Sequence, residues 1–423
     1  MSRRNQAIWL CCAVLALAVS SASADPAAAG SSTTLKQAFE AAWQRQPEAL
    51  SHQMRQDAAA AQQQAAARWT AEPVALELST KTDRLNQNLG RDETVAGISI
   101  PLWLPGERAG TVAVADAQVR AANGKVRAAQ LRTAAQVREA YWAWQRAHMD
   151  QGLAGELSGH AQQLAQDVAK RVRAGDLARA DQHQADGALA SAEVTLAEAT
   201  GVLANAAQRL RALTGLTPQS FAATPPDAVA GVEPPPVGST DTHALDASHP
   251  ALVELQDSAD VAQRSAELAQ VQTRANPELT LATSRDRGQL DEAYQHSITL
   301  GIRIPLGSSS RNQAKRAGAQ ADAIEAEAQV RLERERLQGD VEAARVGLVS
   351  AQVRLNASRQ RVQLARESRV FFQKSFQLGE TDLPTRLRME REAMDAERQA
   401  ARAGIDVAAA QSSLRQTLGL LPE

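Results

Sequence analysis

The side chains that could do chemistry here are charged and hydroxyl groups spaced two residues apart on short apolar runs. Glu77, Ser79 and Lys81 alternate with Val74, Leu76 and Leu78. Ser297, Thr299 and Arg303 alternate in the same way with Ile298, Leu300, Ile302 and Ile304. A ribbon with hydrocarbon on one face and polar groups on the other can face lipid while its inner side solvates a solute. The spacings that make and break bonds are missing. There is no Gly-rich phosphate loop, no G-x-S-x-G and no His/carboxylate cluster on a short loop. Ser308, Ser309 and Ser310 read as capping hydroxyls at a helix start. His243 and His249 fall in or beside a linker, without H-x-x-x-H or methionine pairing, and read as solvated surface residues. The expectation is no enzyme, no cofactor and no metal site.

The elements that carry those side chains are few. Pro73 opens the first strand, and Thr94 to Leu102 forms its partner, with Ala96, Ile98, Ile100 and Leu102 on one face and Val95, Gly97 and Ser99 on the other. A second hairpin follows over about 277–306. Strands of about ten residues suit a tilted membrane crossing. Four strands cannot close a barrel, because membrane barrels need at least about eight. An open edge in lipid leaves backbone groups unsatisfied at several kcal/mol each. If the hairpins lie in a membrane, several copies must contribute strands to one barrel.

Each hairpin leaves through proline and glycine, at Pro101–Gly106 and Pro305–Gly307, into a stretch that reads as one very long helix. No proline and little glycine occur between Glu107 and Arg173, or between Arg311 and Leu378. At 1.5 Å per residue such a helix reaches about 100 Å, too long for a globular core, and must be a coiled-coil or bundle strut. Glycines at 175 and 379 mark turns, after which helices return to Leu213 and Leu418. Alanines at 128, 135, 188, 192, 199, 396, 400 and 403 provide small faces for close helix packing. Thr34 and Gln37 make a capping-box start for an earlier helix, which Pro47 interrupts.

The whole arrangement occurs twice. Pro73 and Pro277, Gly175 and Gly379, and Gly215 and Gly419 are each 204 residues apart; Pro47 and Pro250 are 203 apart. Repeat 1 spans 25–216 and repeat 2 spans 242–423, with a copy of the proline-broken helix pair over roughly 242–274. The proline-rich stretch 217–241 joins them as a linker. Residues 1–24 read as a cleaved signal peptide, with Arg3 and Arg4, an apolar core and Ala22-Ser23-Ala24 before the cut. Cys11 and Cys12, the chain's 2 cysteines, fall inside it, which leaves no thiol chemistry in the exported part. Losing Arg3 and Arg4 takes the formal net charge from −2 to −4, a poor balance for binding nucleic acid. Aromatic residues are only 3%, in keeping with closely packed long helices rather than a bulky core.

In this order, Leu35-xx-Ala38-xxx-Ala42 with Pro47, Ile100-Pro101-Leu102 with Gly106, Arg171–Gly175 and Leu414-xxx-Leu418-Gly419 make the chain resemble the TolC family of outer-membrane efflux proteins. The resemblance implies a mainly α fold with a membrane β-barrel contribution. In it, duplicated long-helix/β-hairpin repeats form a trimeric, 12-stranded barrel continued by a periplasmic α-helical tunnel. It implies a homotrimer in outer-membrane lipid, docked on a periplasmic adaptor that is fed by an inner-membrane RND-type pump. The docking tips would lie over 172–181 and 376–387, centred on Gly175, Asp176, Leu177, Gly379, Glu380 and Thr381. Relatives narrow the tunnel with acidic rings six and nine residues after the second turn glycine; here Thr385 and Arg388 hold those places. Asp181 matches the first-repeat position, and Asp382 lies close to the turn, so the constriction would involve Asp181, Asp382, Thr385 and Arg388. A ring of Arg388 would repel cations unless Glu390 or Asp382 pairs with it. Glu77, Lys81, Ser297, Thr299 and Arg303 would line the barrel.

The short termini look most like the branch that works with heavy-metal cation pumps, and the same duct exporting drugs or other small organic molecules is the alternative. A soluble periplasmic coiled-coil protein, such as the adaptor, is a further rival. An adaptor would show one helical hairpin and several more strands.

Overall fold

The computed structural model describes residues 34–86, 88–217, 221, 233–235, 248–307 and 309–423. The predicted signal peptide, most of the linker and the stretch 242–247, where the second copy of the first short helix was expected, lie outside them. Helices α1 (Leu35–Gln44) and α2 (Pro47–Ala66) come first, then strands β1 (Ala75–Thr82) and β2 (Asp92–Pro101). Helices α3 (Glu107–Ala174) and α4 (Arg179–Thr214) form the first long hairpin. The order then recurs as α5 (Pro250–Val271), β3 (Glu278–Arg287), β4 (Gln295–Arg303), α6 (Ser309–Gln377) and α7 (Leu383–Thr417).

Local chemistry sets these boundaries. Thr34 and Gln37 form the reciprocal capping box that starts α1. Pro47 and Pro250 take the first helical positions of α2 and α5, where a missing N–H costs nothing. The 68 residues of α3 and 69 of α6 run unbroken, about 100 Å each.

The strands form one antiparallel sheet in the order β1-β2-β3-β4. The β2–β3 pairing joins the repeats, with Ile98 opposite Leu281 and Pro101 opposite Glu278. Cross-strand rows then read Leu76-Ile98-Leu281-Leu300 and Leu78-Ala96-Thr283-Ile298 on one face, and Glu77-Gly97-Ala282-Thr299 on the other. The polar face is crowded: a Cβ at Gly97 would stand 2.9 Å from that of Ala282. Small residues there let the sheet curl toward that side. The apolar face is bare, with Leu76, Ile298 and Leu300 each more than 70% exposed.

Beneath the sheet, α3 is the strut. Its first part packs between α2 and α5, with Gly110 against Leu268 and Gly124 against Asp257. Its later part packs on α4 and α7. At mid-length, Phe39, Val137, Tyr141, Trp142, Trp144, Leu210 and Ile405 gather into the main core. Elsewhere the helix contacts are largely alanine, including the buried Ala128, Ala192, Ala396 and Ala403.

The linker is tied to this waist by a buried charge cluster. The Glu233 carboxylate, 1% exposed, accepts from Arg138 Nη2 at 2.7 Å and faces Arg415 Nε at 3.5 Å. The Glu233 carbonyl accepts from Gln411 Nε2 at 2.7 Å, and that of Pro234 accepts from Arg415 at 3.1 Å. Arg138 also donates to the Leu420 carbonyl at 3.0 Å. One carboxylate thus joins α3 and α7. Glu233→Ala strands two buried guanidiniums and is expected to cost about 3–5 kcal/mol, read as a lowered midpoint of the helical circular-dichroism transition. Glu423→Ala, which removes an exposed partner of Arg415, is expected to stay within about 0.5 kcal/mol. Equal shifts would contradict the assignment.

Candidate functional site: a lined sheet and two helical tips

All five strand residues that the sequence singles out stand on one face of the sheet. Glu77 and Thr299 share a cross-strand row, Ser297 lies in the next with Ser79, and Lys81 lies beyond it opposite Glu93. Arg303, at the helical end, pairs with Glu278 at 3.8 Å. Lys81 and Arg303 therefore each have an acid across the strand, and the face carries fixed charge of both signs. Glu93, Glu278 and Asp286 belong to the same face. Sequence reasoning missed them because it began β2 at Thr94, one residue past Glu93, and assigned no faces to β3, which carries Glu278 and Asp286.

At the far end, the two hairpin turns are built alike. Gly175 adopts φ 88° and Gly379 φ 77°, left-handed values that favour glycine. In each turn two amides fold back on the preceding helix: Gly175 and Asp176 onto Val172 and Arg171, Gly379 and Glu380 onto Phe376 and Ser375. The tips pack together through Leu164, Val168, Ala185, Phe376 and Leu383. Arg171 and Arg386 flank the Phe376 ring at 5.2 and 4.8 Å. Burial lowers the Arg386 pKa.

The six expected docking residues divide. Gly175, Asp176, Gly379 and Glu380 are exposed at the extreme end. Leu177 packs into the tip cluster, and the Thr381 hydroxyl meets that of Ser375. These two shape the surface rather than project from it.

The four expected constriction residues are largely helix-start residues here. The Asp181 carboxylate accepts from the Ala178 amide at 3.0 Å and caps α4. Asp382 accepts from the Thr385 amide at 3.2 Å and caps α7. Arg388 is exposed. Among the described residues no carboxylate lies within ion-pair distance of it. Glu390 faces His160 and Arg369 instead, at 3.6 and 3.9 Å. Further up, Asp150 on α3 takes Arg398 and Arg402 of α7, and Arg146 takes Asp406 at 3.0 Å, so the two hairpins are bound side by side.

His249 departs from expectation. It is 2% exposed, and neither ring nitrogen has a hydrogen-bond partner. Pro250 makes it the residue before α5, and Gly419, just after α7, closes over its ring. Burial lowers its pKa. His243 lies outside the described residues. Among the described residues no group of three or more His, Cys, Asp or Glu could hold a metal ion.

The family model described as "Outer membrane efflux protein" matches residues 38–216. The matched segment is less than half of the chain. The chain is 30% identical over 231 residues to the cobalt-zinc-cadmium resistance protein CzcC of Cupriavidus metallidurans, an alignment covering 52% of this chain and 51% of that protein. It thus spans about half the length of that relative. Among solved structures, CusC superposes with a TM-score of 0.78 at 18% identity, covering 92% of this chain and 93% of that one. The outer membrane protein VceC of Vibrio cholerae gives 0.73 at 19%, covering 92% and 97%. The open state of the Neisseria gonorrhoeae MtrE outer membrane channel gives 0.74 at 17%, covering 92% and 89%. At these identities the likeness establishes the fold alone, along nearly the whole chain.

The second tip carries a pH prediction. Hydrogen bonds from Thr385, with Arg388 nearby, hold the Asp382 carboxyl below its ordinary value. A pKa depressed by folding contributes stability above the ordinary carboxylate value, and that contribution disappears as pH falls through the lowered one. Protection of the Thr385 amide against hydrogen exchange is expected to hold at neutral pH and fall in acid. In Asp382→Ala it is expected to be low throughout; protection independent of both pH and this substitution would contradict the cap.

Proposed function

We propose that the chain is the outer-membrane duct of a tripartite efflux system, working as a homotrimer whose protomers each supply four strands to a 12-stranded barrel. The observation that carries this reading is the sheet itself. It has one bare apolar face, one face of mixed charge and two unpaired edges, set on helices of about 100 Å. A lipid-facing wall needs the first face, a water-filled pore the second, and closure by further copies the third. Glu77, Lys81, Ser297, Thr299 and Arg303 then line the lumen. The helical hairpins of three copies continue it as a periplasmic tunnel, and solute moves passively.

The exposed Gly175, Asp176, Gly379 and Glu380 are the docking points for a periplasmic adaptor, which an inner-membrane RND-type pump feeds. For cargo we infer heavy-metal cations. The support is the 30% identity to a cobalt-zinc-cadmium resistance protein over half of each chain. A duct needs no metal ligands of its own, because selection can be made upstream. Export of small organic molecules is the second reading. Deleting the gene and measuring tolerance separates them: lost tolerance to cobalt, zinc or cadmium with unchanged drug tolerance supports the cation duct, and the reverse supports the other.

The two faces of β4 give a sharper prediction. Leu300→Arg places a charge toward hydrocarbon and is expected to cost about 2–4 kcal/mol near mid-membrane, seen as loss of heat-modifiable trimer from outer membranes. Thr299→Arg, one residue away, is expected to insert normally and to shift ion selectivity in planar bilayers toward anions. Equal insertion of both, or loss of the second alone, would overturn the facing.

A further inference from the structure

Above the apolar rows the outer face of the sheet changes character. The next row is Thr80, Thr94, Arg285 and His296, and beyond it Asp92 stands opposite Arg287. Tyr294, in the β3–β4 turn, continues the outward parity of His296 and Ile298. Its ring carries the Arg285 guanidinium at 3.8 Å from the centroid and that of Arg287 at 4.8 Å. The Nε of Arg287 donates to the Gly90 carbonyl at 3.0 Å.

Two like charges braced on one ring repel each other and call for an anion. Among the described residues neither has a carboxylate within ion-pair distance. Three acids near this rim are committed elsewhere: Asp92 to Arg84 at 3.7 Å, Asp83 to the Leu89 amide at 2.8 Å, and Glu292 to the Gly288 amide at 2.9 Å. The pair lies just past the level at which the hydrocarbon-facing side chains stop. In a barrel that level belongs to the polar headgroups, where aromatic residues form girdles.

We propose that Arg285 and Arg287, steadied by Tyr294 with His296 beside them, bind the phosphate of an anionic glycolipid headgroup in the outer leaflet. This rests on the membrane reading given above. A planar guanidinium can meet a phosphate through two parallel hydrogen bonds, and stacking on an aromatic face fixes the plane from which they are made. The ligand is a lipid phosphate rather than a passing solute, because the side chains stand on the face opposite Glu77 and Thr299. A closed trimer carries three such sites around its outer rim.

The test uses the full chain reconstituted in phosphatidylcholine vesicles doped with diphosphoryl lipid A, with dephosphorylated lipid A or phosphatidylglycerol in separate arms. Lipid retained per trimer after mild extraction is counted by mass spectrometry, and protease protection reports insertion. Wild type is expected to retain the diphosphoryl lipid about tenfold over the dephosphorylated one. Arg285→Gln/Arg287→Gln is expected to lose that preference while inserting normally; if the pair does not insert, Arg285→Gln alone bears the comparison. Equal retention by wild type and variant overturns the site. Equal retention of phosphatidylglycerol overturns the glycolipid assignment, and displacement by millimolar inorganic phosphate would make it a free-anion site. Wild type that fails to insert at all brings down the membrane reading, and this proposal with it.

Discussion

A backbone amide or carbonyl in hydrocarbon must be hydrogen-bonded, and the rest of this molecule follows from that constraint. Within one chain β2 and β3 satisfy each other across the repeats, while β1 and β4 each keep an open edge. Such a sheet cannot remain a monomer in lipid. Its bare apolar face and its small-residue polar face, with Gly97 against Ala282, are the two sides that a barrel wall requires.

The helices serve the same closure. The strut α3 passes from the sheet to the tip without a break, so the geometry set at the strands extends about 100 Å away. Packing along it is thin, mostly alanine against alanine, which favours close approach over bulk. Three features hold the hairpins in place: the aromatic waist, the Glu233 cluster that anchors the linker, and the Asp150 and Arg146 pairs between α3 and α7. Each lies on a contact between repeats or between hairpins. The duplicated halves are thereby held together as one unit.

Period two in Ile298, Leu300 and Ile302 made the strands and their outward face legible in the sequence, and unbroken helical runs bounded by Gly175 and Gly379 made the struts legible. Alternation is a local property, and so is a glycine at a helix end. The β2–β3 pairing was not legible, because a register between residues nearly two hundred positions apart is set by how α3 and α5 pack beneath it. Glu233 was missed for the same reason: in a proline-rich stretch it reads as solvated, and its partners Arg138 and Arg415 are remote in sequence. Leu177 and Asp181 were read by position relative to the turn, but their side chains answer to the tip cluster and to the Ala178 amide. His249 shows the reverse error, since the proline after it and Gly419 beyond α7 bury a ring that composition placed at the surface.

The central claim is that β4 of one copy meets β1 of another and that three copies close the ring. The sequence has only 2 cysteines, Cys11 and Cys12, in the predicted signal peptide, so a cysteine pair introduced by Glu77→Cys and Thr299→Cys can be joined in outer membranes by a flexible bis-maleimide. The account predicts covalent dimers and trimers with nothing larger. Monomer alone, or a ladder running past the trimer, would contradict it.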